Sequence, residues 1–214
     1  ISAGADVNVL DGEPIKIAIA MCAYDIVRLL IDSGADIHIA RESPLKSAIR
    51  WGSTRSVKLL VDRGADIHVD NEQPMCLAAA TGRKYIIKLL LSRGADIHAN
   101  SDAALIAAVS HDQYEIVKLL LKYGADVHAS NDAALRIAVD QGRYRISRAL
   151  LKAGANIHVN HDEPIIKAIQ SDNTPMIKLL LKYGADVHAR GGLPLALAEK
   201  NCFPPVIELI KRHA

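Results

Sequence analysis

Six histidines stand at a strict interval of 30 residues: His38, His68, His98, His128, His158 and His188. Each follows Gly-Ala-Asp or Gly-Ala-Asn and then an Ile or Val. Imidazoles in a regular row suggest either metal ligation or a charge switch near neutral pH. Ligation fails on distance. Zn–N bonds are about 2.0–2.1 Å, so ligand atoms must converge within a few ångströms. Residues one repeat apart are instead separated by the roughly 8–10 Å at which helices pack. The three cysteines, at 22, 76 and 202, form no Cys-x-x-Cys pair and add no second ligand set. The row is therefore read as support for a recurring turn, with titration near about pH 6.5 as a way to loosen those turns together. No metal and no cofactor is expected.

A second row is basic: Arg28, Lys58, Lys88, Lys118, Arg148 and Lys178, ending in Glu208. Such a row can track phosphates. However, Asp32, Asp62 and Glu115 share the same segments, and 26 basic against 24 acidic residues leave a net charge of only +2. An ordinary solvated face is the better reading, with nucleic-acid or polyanion binding through this row as the alternative. Catalytic signatures are missing. There is no Gly-rich phosphate loop, no Gly-x-Ser-x-Gly and no His-Glu-x-x-His. Asp and His recur because a unit recurs, so the chain is not read as an enzyme and no small-molecule substrate is expected.

The elements that carry these rows follow from the same period. Gly-Ala-Asp/Asn starts at Gly4, Gly34, Gly64, Gly94, Gly124, Gly154 and Gly184. An alanine recurs in one register at Ala18, Ala48, Ala78, Ala108, Ala138, Ala168 and Ala198. Each unit reads as two helices. The first begins near Pro14, Pro44, Pro74, Pro164 or Pro194, where a missing N–H costs nothing. In the two units with Ala104 and Ala134 instead, Asp102 and Asp132 are expected to cap it. Gly52, Gly82 and Gly142 are expected to end it, and the Gly of Gly-Ala-Asp the second helix. One unit alone buries too few apolar side chains to offset its ordering, so the units must stack. Half the residues are hydrophobic but only 4% are aromatic, which suits a stack built from Ala, Ile, Leu and Val. No apolar run approaches the roughly 20 residues that span a bilayer, and no basic-then-apolar leader opens the chain. The thiols are expected to be buried or half-buried, in a reducing compartment.

These features resemble the ankyrin-repeat family. The residues that carry the resemblance are Pro44-Leu45-Lys46-Ser47-Ala48, the Gly after the first helix, the Ile116–Leu121 second helix and Gly-Ala-Asp. The resemblance implies an all-α ankyrin-repeat solenoid of about seven helix-turn-helix units with short inter-repeat turns. It covers residues 1–214 as a single domain: a tail of a truncated repeat at 1–8, then units near 9–38, 39–68, 69–98, 99–128, 129–158, 159–188 and a C-terminal cap at 189–214. The chain reads as a fragment preceded by further repeats. Three residues are missing relative to the family's usual repeat, where its β-hairpin finger lies, so a tight turn with little strand is expected. The short, His-bearing unit is similar to ankyrin repeats of giant DNA viruses, which implies a cytoplasmic location (host cytoplasm).

The family implies a protein–protein interaction scaffold, here with an unidentified protein partner; the charge balance disfavours nucleic acid, and the lack of a long apolar run leaves no membrane partner. A viral adaptor for a host protein is one form of it. Family members bind across a concave face made by turn tips and first helices. The positions that vary between units in those places are the candidate partner-binding residues: Arg41, Arg50, Trp51, Asn71, Thr81, His111, Asn131, Asp140, Gln141 and His161. Trp51 beside Arg50 is the strongest of them, since Trp and Arg are favoured hot-spot types.

Overall fold

A computed structural model describes residues 6–39, 43–201 and 203–214. Among them are fourteen helices and no strand, as the missing finger implied. The first helices are α1 (Val9–Ala20), α3 (Pro44–Trp51), α5 (Val69–Ala80), α7 (Ala99–Ser110), α9 (Ala129–Asp140), α11 (Val159–Gln170) and α13 (Ala189–Lys200). The second helices are α2 (Tyr24–Asp32), α4 (Thr54–Asp62), α6 (Lys84–Ser92), α8 (Tyr114–Lys122), α10 (Tyr144–Lys152), α12 (Thr174–Lys182) and α14 (Pro204–Lys211). The chain groups into two compact units, Ile1–Ala107 and Ala108–Ala214. In the first, α1, α3 and α5 are successive neighbours, as are α2, α4 and α6. In the second, α9, α11 and α13 pack in order, and so do α8, α10, α12 and α14.

Helical spacing of the apolar residues decides what is buried. In α9, Ala134, Leu135, Ala138 and Val139 are buried, and in α8, Ile116, Val117 and Leu120. The seven constant alanines are all buried, six of them completely. Each accepts a backbone hydrogen bond from the residue five positions on, as Ala138 does from the Arg143 N–H at 2.8 Å.

The turn before the first helix departs from the capping expectation. Three consecutive residues take positive φ at 10–12, 70–72, 100–102, 130–132, 160–162 and 190–192. They make one left-handed turn, closed by the third residue's N–H on the carbonyl four positions back, as from Asp132 to His128 at 3.1 Å. The right-handed helix starts only after it, at Pro74 or Pro164 where proline is present. Left-handed backbone costs a residue with a Cβ about 1–2 kcal/mol, and Asn, Asp, Ser and Gly fill most of these positions. Asp132 therefore does not cap its helix. It is the third left-handed residue, and its carboxylate turns back to the Asn156 N–H at 2.7 Å and to His128. Asp102 likewise lies in the turn and is buried, facing His98.

Glycine does end the second helices as expected. At Gly124 φ is +94°, and the N–H groups of Gly124 and Ala125 bond the Leu121 and Leu120 carbonyls at 3.2 and 3.1 Å. A methyl there would meet nothing within 4 Å, so conformation alone demands glycine. Gly124→Ala is expected to cost about 1–2 kcal/mol, seen as a lower urea midpoint at unchanged slope. An unmoved midpoint would refute that assignment. Of the thiols, Cys76 is half-buried, and burial pushes it above its ordinary range. Cys22 is exposed, contrary to expectation, because it sits in the positive-φ position that follows α1 rather than on the packed face. Cys202 lies outside the described residues.

Candidate interaction surface

The histidines anchor the left-handed turns. Each backbone N–H from His38 to His188 donates to the side-chain oxygen two residues before it, at 2.8–2.9 Å. Four rings reach a carboxylate four residues on: His68 to Glu72, His98 to Asp102, His128 to Asp132 and His158 to Asp162. The carboxylates are buried while the rings are about half exposed. The other side of the carboxylate serves the next repeat: Asp132 accepts from Asn156 N–H and Asp162 from Asp186 N–H, at 2.7 and 3.0 Å. Among the described residues no three such groups converge on a point.

At His68 this geometry reverses the expected sign of titration. Hydrogen bonding to the Glu72 carboxylate holds His68 above 6.5, with the charges of Glu72, Asp66 and Asp96 adding to it against partial desolvation. A folded value raised above 6.5 means that the pair stabilises fully below about pH 6.5 and that this stabilisation fades as pH climbs from there through the higher folded value. Protonation tightens this turn. The melting temperature of His68→Gln relative to the parent should therefore be lowest at about pH 6 and recover toward about pH 8. A difference that is flat across that range would contradict the pairing.

The candidate binding residues fall into two rows, at opposite ends of the first helices. Arg41 lies outside the described residues. In the turn row, Asn71 and Asn131 are exposed but stitched along the stack, each donating its amide to the side-chain oxygen of Asn100 or Asn160. The backbone carbonyl of His161 accepts from Arg190 at 3.3 Å. In the helix-end row, Arg50, His111, Asp140 and Gln141 are exposed and Trp51 is 56% exposed. The Thr81 hydroxyl instead donates to the Leu77 carbonyl at 2.7 Å, and it is half-buried. The Arg50 carbonyl accepts from the Arg83 guanidinium at 3.0 Å.

Two further features belong to this surface, the first in the same variable helix-end register and the second outside it. Met21 occupies the same register as Trp51 one repeat earlier and is 74% exposed. Between α9 and α11, Arg136, Glu163 and Lys167 join Asp140 around a groove of about 320 Å³. Arg136 pairs with Glu163 at 2.9 Å and Lys167 with Asp140 at 3.7 Å. The Asn160 amide, and then Arg136, hold the Glu163 carboxyl below its ordinary range. Positions 133, 136, 137 and 140 share one helical face, but the pairing of Arg136 with Glu163 spans 27 residues and is not written in the local pattern.

A family model described as ankyrin repeats (3 copies) matches residues 1–71, 47–131, 75–161 and 135–214. No curated protein sequence matches. Among solved structures, the ankyrin repeat domain of Bcl-3, described as a unique member of the IkappaB protein family, is 26% identical. The match covers 93% of this chain and 97% of that one, with a TM-score of 0.75. The human ASB11 ankyrin repeat domain is 24% identical over 94% of this chain and 98% of that one, with a TM-score of 0.78.

Proposed function

This chain belongs to the ankyrin-repeat family, and from that premise we propose that it is a non-catalytic scaffold binding a protein partner through its first helices. Domains of this family generally mediate protein–protein interaction, and the all-α solenoid of about seven units is the family's fold. We read residues 1–214 as one such domain, of the short 30-residue kind similar to giant-virus repeats. On that reading it acts as an adaptor for a host protein in the host cytoplasm. Among the described residues no helix is long and apolar enough to cross a membrane.

The observation that carries the proposal is the exposure of Trp51, the sole tryptophan, at the end of α3. Fixed repeat positions hold apolar side chains inside the stack; Trp51 and Met21 instead stand in water at a register the stack does not constrain. Trp, Met and Arg are enriched in the cores of interfaces. Arg50 stands beside Trp51, and in the unit 108–214 His111, Asp140 and Gln141 hold the same register; Asn71, Asn131 and His161 hold the turn register, which by sequence includes Arg41.

The test compares partners captured by the parent chain and by Trp51→Ala. The variant should bind the captured protein at least roughly tenfold more weakly, more than 1.4 kcal/mol, at unchanged melting temperature. Affinity equal to the parent's would remove Trp51 from the interface. Polyanion binding through the basic row would instead show affinity falling steeply with salt.

A further inference from the structure

A second groove lies on the opposite set of helices, between α8 and α10, and encloses about 560 Å³. Five cations line it: Lys118 and Lys122 from α8, and Arg145, Arg148 and Lys152 from α10. Leu121, Ala149 and Ala153 give it an apolar lining as well. No carboxylate lines it. The nearby Glu115 pairs with Lys118, at 3.7 Å. The first-helix groove of the same unit is different, since there each cation meets an acid.

The imbalance has a definite origin in the repeat. In the unit 1–107, the ends of successive second helices are neutralised by Arg63 on Asp32 and Arg93 on Asp62, at 2.6 and 2.7 Å. At the positions equivalent to Asp32 and Asp62, α8 and α10 carry Lys122 and Lys152, and the arginine positions hold Tyr123 and Ala153. Lysines in a last turn suit the helix dipole. That role does not account for Arg145 at the start of α10 or for Arg148 in its middle. The exposed Lys178 and Lys182 of α12 extend the positive field.

We propose that the α8–α10 groove binds an acidic protein segment bearing an apolar side chain. Carboxylates answer the five cations, and an aliphatic or aromatic side chain answers Leu121, Ala149 and Ala153. A single-stranded nucleic acid fits less well. Its bases need free aromatic faces, and the one aromatic lining residue, Tyr114, already has the Arg145 guanidinium 4.1 Å and the Lys118 ammonium 5.4 Å from its ring centre. The site is independent of the first-helix surface and does not require that reading to hold.

The test uses the full chain and fluorescein-labelled probes followed by anisotropy at about 50 mM salt, where surface charge is least screened. The probes are a peptide of glutamate and leucine, the same peptide with glutamine for glutamate, a glutamate–glycine peptide, and a deoxythymidine oligonucleotide. The glutamate–leucine peptide should bind best, and Arg148→Glu/Lys152→Glu should weaken it at least roughly tenfold. The reversal Lys58→Glu/Lys88→Glu on α4 and α6 should change it by less than about threefold, since those helices lie outside the groove. If the charge-reversed protein loses helicity, Arg148→Gln/Lys152→Gln should still weaken binding. Equal loss from both reversals, tighter binding of the oligonucleotide, no preference for leucine over glycine, or no peptide binding would each overturn the proposal.

Discussion

Leu120→Ala is expected to destabilise the chain by about 2–5 kcal/mol. Leu120 lies in the last turn of α8 with no exposed surface, on the face of the buried Ile116 and Val117. Truncation removes buried apolar area and leaves a cavity that the helix backbone limits in collapsing. Its carbonyl also accepts from Ala125 N–H and Tyr123 N–H at the helix end, so slack in α8 reaches the glycine turn that follows. Urea denaturation followed by far-ultraviolet circular dichroism should show a midpoint shift of that size. A loss below about 1 kcal/mol would mean that the helix relaxes into the space, contrary to a rigid stack.

Asp132→Ala is expected to cost about 1.5–3 kcal/mol, the usual value of hydrogen bonds to a charged group. The Asp132 carboxylate is nearly inaccessible and joins two partners, the Asn156 N–H at 2.7 Å and His128 Nδ1 at 3.2 Å. Alanine removes both and also occupies a left-handed position, φ +50°, that aspartate tolerates better. Asp132→Asn keeps an acceptor for Asn156 and should recover part of the loss. The comparison separates the carboxylate's bonds from its backbone conformation: if asparagine were no better than alanine, the link to the next repeat would carry no energy.

What could be read directly from the residues is what the backbone constrains locally. Gly124 and the other recurring glycines mark helix ends because only they take positive φ freely, and Ala138 marks the packed face, where it is fully buried. The left-handed turn was not foreseen. Runs such as Asp70-Asn71-Glu72 and Asn160-His161-Asp162 look like a capping segment, and three successive left-handed residues are rare outside glycine. The pairing that stabilises the turn was nonetheless written as a spacing, His followed four residues later by Asp or Glu at 68, 98, 128 and 158. Its partners across the repeat, such as Asn156 for Asp132, depend on a contact 24 residues away that local pattern does not reveal. The same limit hid Arg136 opposite Glu163, and the clustering of Lys122, Arg148 and Lys152 in one groove.

Trp51 itself offers the most direct measurement of binding at the first-helix face. It is the only tryptophan, so its emission reports one site, and at 56% exposure it should fluoresce as a hydrated indole. Titration of the chain with its captured protein partner should shift that emission to the blue and saturate with the binding curve recorded by calorimetry, as the indole leaves water. Emission that stays unchanged while calorimetry records saturation would place the partner elsewhere and contradict recognition through the first helices.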